Sequence, residues 1–429
     1  MQSPVHLGRI YSMNEPSSYD VVVIGAGIIG AMAAWYMQRQ GRSVVLLEHQ
    51  HIAAGASQGN AGILAFPEIT PMATHGLLKK VPGWLIDPLG PLSIRPSYLA
   101  QITPWLWRLW RAGAPQAYAR GLAAQTALMQ LAQSQMLGVA STPELSAYFK
   151  NTGTLDLYDS EASLNATQKD WDLRAQAGYT FERVGRSDIE RLQPGLAPRF
   201  QHGVFSAKGT QIQNPDTFTK AIAQLACSYG TQVRKGKAVA IRAQADGAEV
   251  VLDDGQSIHA KTVVVACGAW SKTLAASLGD ALPLDTERGY NTTLPGAAFD
   301  LQRQLYFNDH AFVVTPLASG IRVGGAVEFA GLHLPPNYQR STALLAKAKQ
   351  FLPGLDTQGG TQWMGFRPSM PDSLPVIGRA SRCPHVVYAF GHGHLGLTQS
   401  AGTAQLVAEL ASHLTPSIDL QAFSPARFA

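Results

Sequence analysis

The sequence predicts an α/β fold: a Rossmann-like dinucleotide-binding domain built from discontinuous pieces, with an α+β domain inserted between them. Three observations predict it. A complete βαβ unit with a glycine cluster stands near the amino terminus, a strand running through glycines into a helix stands near the carboxyl terminus, and the chain between them mixes strand-like and helix-like runs. The length of 429 residues suits two or three domains.

The first element is 20–48, DVVVIGAGIIGAMAAWYMQRQGRSVVLLE. A β-branched run leads into Gly25, Ala26, Gly27, Ile28, Ile29 and Gly30, a helix-like stretch closes at Gly41, and a second apolar run ends at Glu48. Gly25 permits the tight turn, Gly27 lets the backbone approach a pyrophosphate, and Gly30 lets the helix lie close on the strand. The helix start leaves N–H groups free for phosphate. The Glu48 carboxylate is placed to accept hydrogen bonds from ribose hydroxyls.

The next elements decide between nicotinamide and flavin. Residues 238–260 alternate as a hairpin, with turns at Asp246-Gly247 and Asp253-Asp254-Gly255, and 262–271, TVVVACGAWS, is a buried strand ending in small residues that include Gly268. Such a chain return suits a long cofactor held along its whole length. Near the end, HVVYAF at 385–390 is a strand, Gly391-His392-Gly393-His394-Leu395-Gly396 a flexible turn, and Thr398 to His413 an apolar-periodic helix. Reduced flavin is an anion, and the positive end of this helix beside its pyrimidine ring stabilises it by roughly 0.3 to 2 kcal/mol. These two segments favour a flavin.

Composition narrows the function. Charged residues are 15% of the chain, against about 25% in an average soluble domain, and there are 41 glycines, which fits an enzyme with a large interior. The net charge of +5 is mild and the basic residues are scattered, so nucleic acid is not expected as a partner. Cys227, Cys267 and Cys383 are odd in number and far apart, which supports neither a disulfide framework nor a thiolate metal site and fits a reducing compartment. Residues 1–19 contain no apolar signal region and read as a loose leader, and no apolar run approaches the roughly 18 residues of a membrane span. The expected location is cytoplasmic, or peripheral on the cytoplasmic face of the inner membrane.

Six motifs in order carry a resemblance: VVVIGAGIIG at 21–30, GASQGNAGIL at 55–64, LSIRPSYL at 92–99, ERGYNTTLP at 287–295, GFRPSMPDSLPVIG at 365–378 and GHGHLGLT at 391–398. Over about 20–412 the chain resembles the FAD-dependent amine and amino-acid oxidoreductases of the D-amino-acid oxidase superfamily, and most of all the bacterial D-amino-acid dehydrogenases. The resemblance implies FAD, with Glu48 and His49 by the adenosine ribose, and Ala56, Ser57, Asn60, Ala61 and Gly62 around the pyrophosphate and isoalloxazine. It also implies that Val239 meets the adenine through its backbone and that the loop from Gly391 to Thr398 holds the pyrimidine edge. Sarcosine-oxidase-like members attach flavin through a cysteine near where this chain has Gly365, and dimethylglycine-dehydrogenase-like members through a histidine where it has Gly59. The resemblance therefore implies noncovalent FAD.

The resemblance further implies that Arg367 takes a substrate carboxylate, a task suited to a guanidinium fork stiffened by Pro368. Tyr290 is a second expected contact, and Arg288 shares its side of the strand by alternation. Tyr306 and His394 are weaker candidates. The implied chemistry is transfer of hydride from Cα of an amino acid with a neutral amine to flavin N5, giving an imino acid that water hydrolyses. It needs no dedicated general base. The His392/His394 and His49/His51 pairs lack a third ligand, so no metal is expected.

The expected function is D-amino-acid dehydrogenation, including cyclic substrates such as D-proline or hydroxy-D-proline, with quinone or another electron acceptor. Two alternatives are a sarcosine- or glycine-type oxidase using oxygen, and a flavin-binding electron-transfer or assembly subunit. Four of the eight tryptophans, Trp84, Trp105, Trp107 and Trp110, fall in 77–111 among Lys79, Lys80, Arg95, Arg108 and Arg111. That mixture suits a lipid headgroup interface, with a helix starting at Thr103-Pro104. The expected FAD-binding domain combines 20–75, 185–285 and 360–429. The substrate domain combines 76–184 and 286–359, with a helix from Pro115 to Val139 and strands at 286–295, 304–315 and 320–329.

Overall fold

The computed structural model describes residues 18–73 and 92–429. Most of the expected leader, and 77–91 of the tryptophan-rich segment with Lys79, Lys80 and Trp84, lie outside the described residues.

The first sheet grows from the βαβ unit. Strands Tyr19–Ile24 and Val44–Glu48 are parallel, connected through the helix Ile28–Arg39. Gln232–Lys235 adds in parallel to Val44–Glu48, and Ser257–Val265 to Tyr19–Ile24. The start of Ser257–Val265 pairs antiparallel with Gly247–Leu252 of the expected hairpin, while its end pairs in parallel with Cys383–Phe390. Helices cover the sheet, so these strands are continuous apolar runs, and Val21, Val22, Val23, Val263, Val264 and Val265 are fully buried. Helix Gly396–Ala411 is apolar nearly all round because it packs between Ile28–Arg39 and Pro115–Ala140. At Gly402 a Cβ would stand 2.9 Å from the Ala132 backbone, so only glycine allows that approach.

The second sheet has nine strands. Eight run in the order Thr361–Ser369, Asp285–Leu294, Gly320–Phe329, Phe312–Leu317, Gln304–Phe307, Thr154–Tyr158, His202–Ser206 and Glu182–Gly185, with Leu92–Ile94 beside Gly320–Phe329. The expected run at 304–315 is two strands, because the chain turns through Asn308–His310 and Ala311 in the left-handed region at φ +50°. His202–Ser206 and Thr361–Ser369 belong to this sheet, although 185–285 and 360–429 were expected in the dinucleotide domain. Local pattern identifies a strand but not its partner, and these two find theirs in Thr154–Tyr158 and Asp285–Leu294. A three-stranded sheet of Ile63–Leu64, Thr210–Ile212 and Phe149–Asn151 anchors the end of the 55–64 loop.

The helix expected to start at Thr103-Pro104 is Leu99–Ala112, with Pro104 inside it. Pro104 is exposed, and the Thr103 hydroxyl donates back to the Leu99 carbonyl at 2.7 Å instead of capping. The missing proline N–H removes the helical partner of the Ala100 carbonyl, which is tolerable because Ala100 is exposed. Among the described residues no helix is long and apolar enough to cross a membrane.

Candidate active site

A cavity of about 930 Å³ lies where the carboxyl ends of the first sheet's parallel strands meet the flank of the second sheet. Ligands of open α/β sheets bind at those strand ends. One wall is mainly backbone. Gly25 turns the chain at φ +100°, where a Cβ would stand 2.6 Å from the Ala266 carbonyl oxygen, and Gly30 sits so close to Gly25 that a Cβ would overlap its oxygen at 1.8 Å. Gly27 faces the cavity and caps helix Ile28–Arg39 without a side-chain hydrogen bond. The Ser57 hydroxyl accepts from Ile28 N–H at 2.8 Å, and Glu48 accepts from Ala26 N–H at 2.9 Å, which fixes the loop around the opening.

The same wall continues in both directions. At one end His49 lies against Glu48 at 3.1 Å, and Val239 lines the cavity where a bulge takes it out of the hairpin ladder, leaving its backbone groups for a ligand. At the other end Gly393, with φ +56°, leads to helix Gly396–Ala411, which also begins without a side-chain cap or an acidic first turn. Two helix starts whose N-cap residues make no side-chain bond open on one elongated cavity, which is the cradle that a dianionic pyrophosphate and an anionic reduced ring require. The residues present fit FAD.

The sequence matches the profile of the DAO family, FAD dependent oxidoreductases, over residues 20–410. The chain belongs to this family. FAD is the family's cofactor. The chain is 35% identical over 423 residues to a D-amino-acid oxidase of Bradyrhizobium diazoefficiens, covering 96% of this chain and 100% of that protein. Among solved structures it resembles a glycine oxidase from Geobacillus kaustophilus, with a TM-score of 0.73 and 20% identity over 96% of this chain and 99% of that one. It also resembles an L-amino acid deaminase from Proteus vulgaris, with a TM-score of 0.72 and 20% identity over 98% and 97% of the two chains. At that identity these two likenesses are ones of fold.

The opposite wall of this family member's cavity is made of side chains. Asp285–Leu294 pairs in register with Thr361–Ser369, setting Glu287 opposite Arg367, Gly289 opposite Gly365 and Asn291 opposite Trp363. All six line the cavity. The Arg367 guanidinium lies directly over Gly289, where a Cβ would come within 2.4 Å of Nη2, and Nη1 donates to the Ala326 carbonyl at 2.9 Å. Ala326 is a non-glycine residue at φ +59°, in a stretch where the ladder with Asp285–Leu294 shifts register. Burial lowers the Arg367 pKa from its ordinary value, and Glu287 opposes that shift.

The Trp363 indole covers both Gly59 and Gly365, leaving a Cβ at either position within 2.3 Å of the ring. An aromatic plane thus fills the space beside both glycines, the two positions that the resemblance singled out for the mode of flavin attachment. Arg322 crosses from the second sheet, donating to the Asn60 carbonyl and to Thr293 Oγ1 at 2.9 Å. Burial lowers its pKa to about 10. Asn291 holds the same loop through Gly59 O at 2.8 Å.

Several expected site residues stand elsewhere. Arg288 is fully buried on the other face of its strand, donating to the carbonyls of Gly331 at 2.8 Å, Ala330 at 3.1 Å and Pro335 at 3.2 Å. Tyr290 does reach the cavity lining, but its hydroxyl donates to Glu328 Oε2 at 2.5 Å and accepts from Asn337 N–H at 3.0 Å. Alternation does put Arg288 and Tyr290 on one side, and that side faces Glu328. Gly62 is a turn at φ +73° packed on the Ile212 carbonyl, Thr398 accepts from Ala65 N–H at 3.0 Å, and neither lines the cavity. Ala26 and Gly30 are likewise behind the lining, and Gly391 faces a smaller side pocket.

Ile28, Ile29, Ala56, Ser57, Asn60, Ala61, Gly268, Gly393, Leu395 and Gly396 do line it, as do Tyr306, His392 and His394. His392 bonds Thr403 Oγ1 at 3.0 Å, and burial pushes its pKa down to about 3. His394 turns the other way, with Nε2 2.8 Å from Glu68 Oε2. Burial opposes its charge, but the bond and charge of Glu68 outweigh that and raise its pKa. Tyr306 also bonds Glu68, and burial raises its phenol well above the ordinary value. Glu68, Glu287, Asn291, Arg322 and Trp363 are lining residues that sequence reasoning missed. Glu287 stands one residue before Arg288, so alternation puts it on the face opposite Arg288 and Tyr290, and the register with Thr361–Ser369 turns that face to the cavity.

Proposed function

We propose that this protein is an FAD-dependent D-amino-acid dehydrogenase, acting on primary or cyclic secondary amino acids such as D-proline or hydroxy-D-proline. One observation carries the reading: a guanidinium, Arg367, stands within the cavity beside the dinucleotide cradle, with only a glycine beneath it. A fork so placed grips a carboxylate bidentately. FAD supplies the hydride acceptor when bound, and its attachment is noncovalent because neither Gly59 nor Gly365 carries a nucleophile. Arg367, held by Ala326, fixes the substrate's carboxylate, and the fixed carboxylate orients Cα, a proximity effect. Trp363 and Leu395 give that chamber apolar sides which exclude water from the substrate. The relative named as a D-amino-acid oxidase supports the substrate class.

An anaerobic screen of purified, FAD-loaded protein tests the reading. Bleaching of the yellow colour by a D-amino acid is expected. Bleaching by sarcosine or glycine alone makes it an amine oxidase of that type, and bleaching by no amino acid makes it an electron-transfer or assembly subunit. Reoxidation of the bleached protein by a quinone analogue in preference to oxygen is the expected acceptor result.

We further propose that helix Leu99–Ala112 rests on an anionic membrane surface. Ile102 and Trp105 pin the helix to the protein, while Trp107 (57% exposed) and Trp110 (49%) meet at 4.7 Å, tilted by 35°, on its outer side with exposed Arg108 and Arg111 beside them. No acidic residue occurs from 88 to 143. Trp and Arg without acids suit headgroups. Co-sedimentation with phosphatidylglycerol vesicles at low salt, lost in Trp107→Ser/Trp110→Ser, is the expected result, and no co-sedimentation of the wild type refutes it.

A further inference from the structure

We propose that Glu287 receives the amino group of the substrate and takes its proton, so that the site selects amino acids whose nitrogen arrives as a cation. The inference rests on the reading of Arg367 as the carboxylate clamp and adds the other half of the receptor.

Glu287 is 3% exposed and lines the cavity, yet Oε1 is buried with no hydrogen-bond partner. Buried carboxylates are normally supplied with donors. Its in-register neighbour is Arg367 on the adjacent strand, and cross-strand neighbours point to the same side of the sheet. The two do not close into an ion pair, because Arg367 is drawn across Gly289 to the Ala326 carbonyl. A cation and an unpartnered anion therefore stand side by side on one wall, which is the charge pattern of a zwitterion's receptor. The carboxylate of an amino acid on Arg367 brings its nitrogen to the neighbouring Glu287.

Two charged groups bear on Glu287: Arg367 from the strand Thr361–Ser369, and His394 from the loop after Cys383–Phe390, whose charge is already shared with Glu68 at 2.8 Å, a carboxylate lining the same cavity. Its partner on the other side, Phe329, is uncharged, and Arg288 and Glu328 occupy the opposite face. With the ammonium seated against Glu287, passage of one proton to the carboxylate removes both charges from the closed site. One N–H bond of the ammonium breaks and one O–H bond forms on Glu287, leaving the nitrogen lone pair free. FAD, when bound, would accept the Cα–H electron pair as hydride, and the freed lone pair would close the C=N bond. Glu287 returns its proton to solvent after product leaves.

The test uses the FAD-loaded protein, an amino acid that reduces it, and the acid lacking only the nitrogen substituent; for D-alanine this is propionate. Perturbation of the flavin spectrum reads binding, and anaerobic mixing reads reduction. Wild type is expected to bind the amino acid at least tenfold more tightly than its analogue; equal affinities overturn the proposal without needing any variant. In Glu287→Gln, amino acid affinity is expected to fall by about a hundredfold while analogue affinity holds, a loss typical of a removed buried charge partner. Its reduction rate is expected to recover as pH rises to where the free amine is neutral in solution. Equal losses for both ligands, or a deficit that alkali does not relieve, mean that Glu287 is structural. If wild type binds neither ligand, the Arg367 reading itself fails and the proposal falls with it.

Discussion

The two walls of the cavity are built by opposite means. The dinucleotide wall is mainly backbone: glycines at Gly25, Gly27 and Gly393, and two helix starts whose N-cap residues, Gly27 and Leu395, make no side-chain cap bond. The facing wall is side chains standing on a stiff sheet, with Glu287, Asn291, Arg322, Trp363 and Arg367 projecting from paired strands. Backbone suits a cofactor that is the same in every turnover, because N–H groups and helix dipoles need no rotamer to be fixed. Side chains suit a substrate, since a change of one residue retunes charge and shape while the sheet stays in place. The backbone wall should therefore fail as a unit when altered, and the side-chain wall should fail selectively.

The largest effect is expected at Gly30→Val. Its side chain would occupy the position of the Gly25 oxygen, so helix and strand must separate. A loss of about 3 kcal/mol is expected from overpacking, with FAD lost as well, and thermal melting with flavin absorbance checks both. Retention of FAD in this variant breaks the distinction between the walls. Next comes Arg367→Met, where FAD should stay bound while kcat/KM for the amino acid falls by about a thousandfold, the loss of a bidentate charged contact. Steady-state kinetics on flavin-saturated protein measures it, and parallel loss of FAD would place Arg367 in the cofactor wall.

Tyr290→Phe sharpens the comparison from the other face of the same strand. Its hydroxyl serves Glu328 and Asn337, so stability should drop by about 1 kcal/mol while kcat/KM stays within about threefold. A hundredfold loss of activity in that variant reassigns the face. The smallest effect belongs to Glu68→Gln. The raised pKa of His394 adds stability that is present below its unfolded value and lost as pH rises through its folded value. The lowered pKa of Glu68 adds stability above its unfolded value that is lost as pH falls through its folded value. The pair is thus strongest between the two, and the half-exposed bridge contributes less than about 1 kcal/mol there. NMR titration of His394 should show its pKa falling in the variant; an unchanged value breaks the assigned pairing.

The contrast between the walls also explains what could be read from the sequence. Gly25, Gly27 and Gly30 are legible because no other residue meets those backbone demands, and the strand, helix and Glu48 around them confirm the context. The loop from Gly391 to Gly396 is legible for the same reason. In the facing wall, period two shows that Arg288 and Tyr290 share a side, and equally that Glu287, Gly289 and Asn291 share the other. Nothing local says which side meets the cavity, because that depends on the register with Thr361–Ser369, some 75 residues further along the chain. Arg367 could be found only through its motif, and Trp363 and Arg322 had no local signal at all. The partners of His202–Ser206 were hidden for the same reason: strand pairing across the fold is not written in the strand.

The most direct measurement is a crystal structure of the FAD-bound protein with a carboxylate substrate analogue in the cavity. The carboxylate oxygens are expected on the Arg367 guanidinium, above Gly289 and on the same face as Glu287. A carboxylate held by Arg288, by Arg322 or by the backbone of the 391–396 loop, with Arg367 turned away, would contradict it.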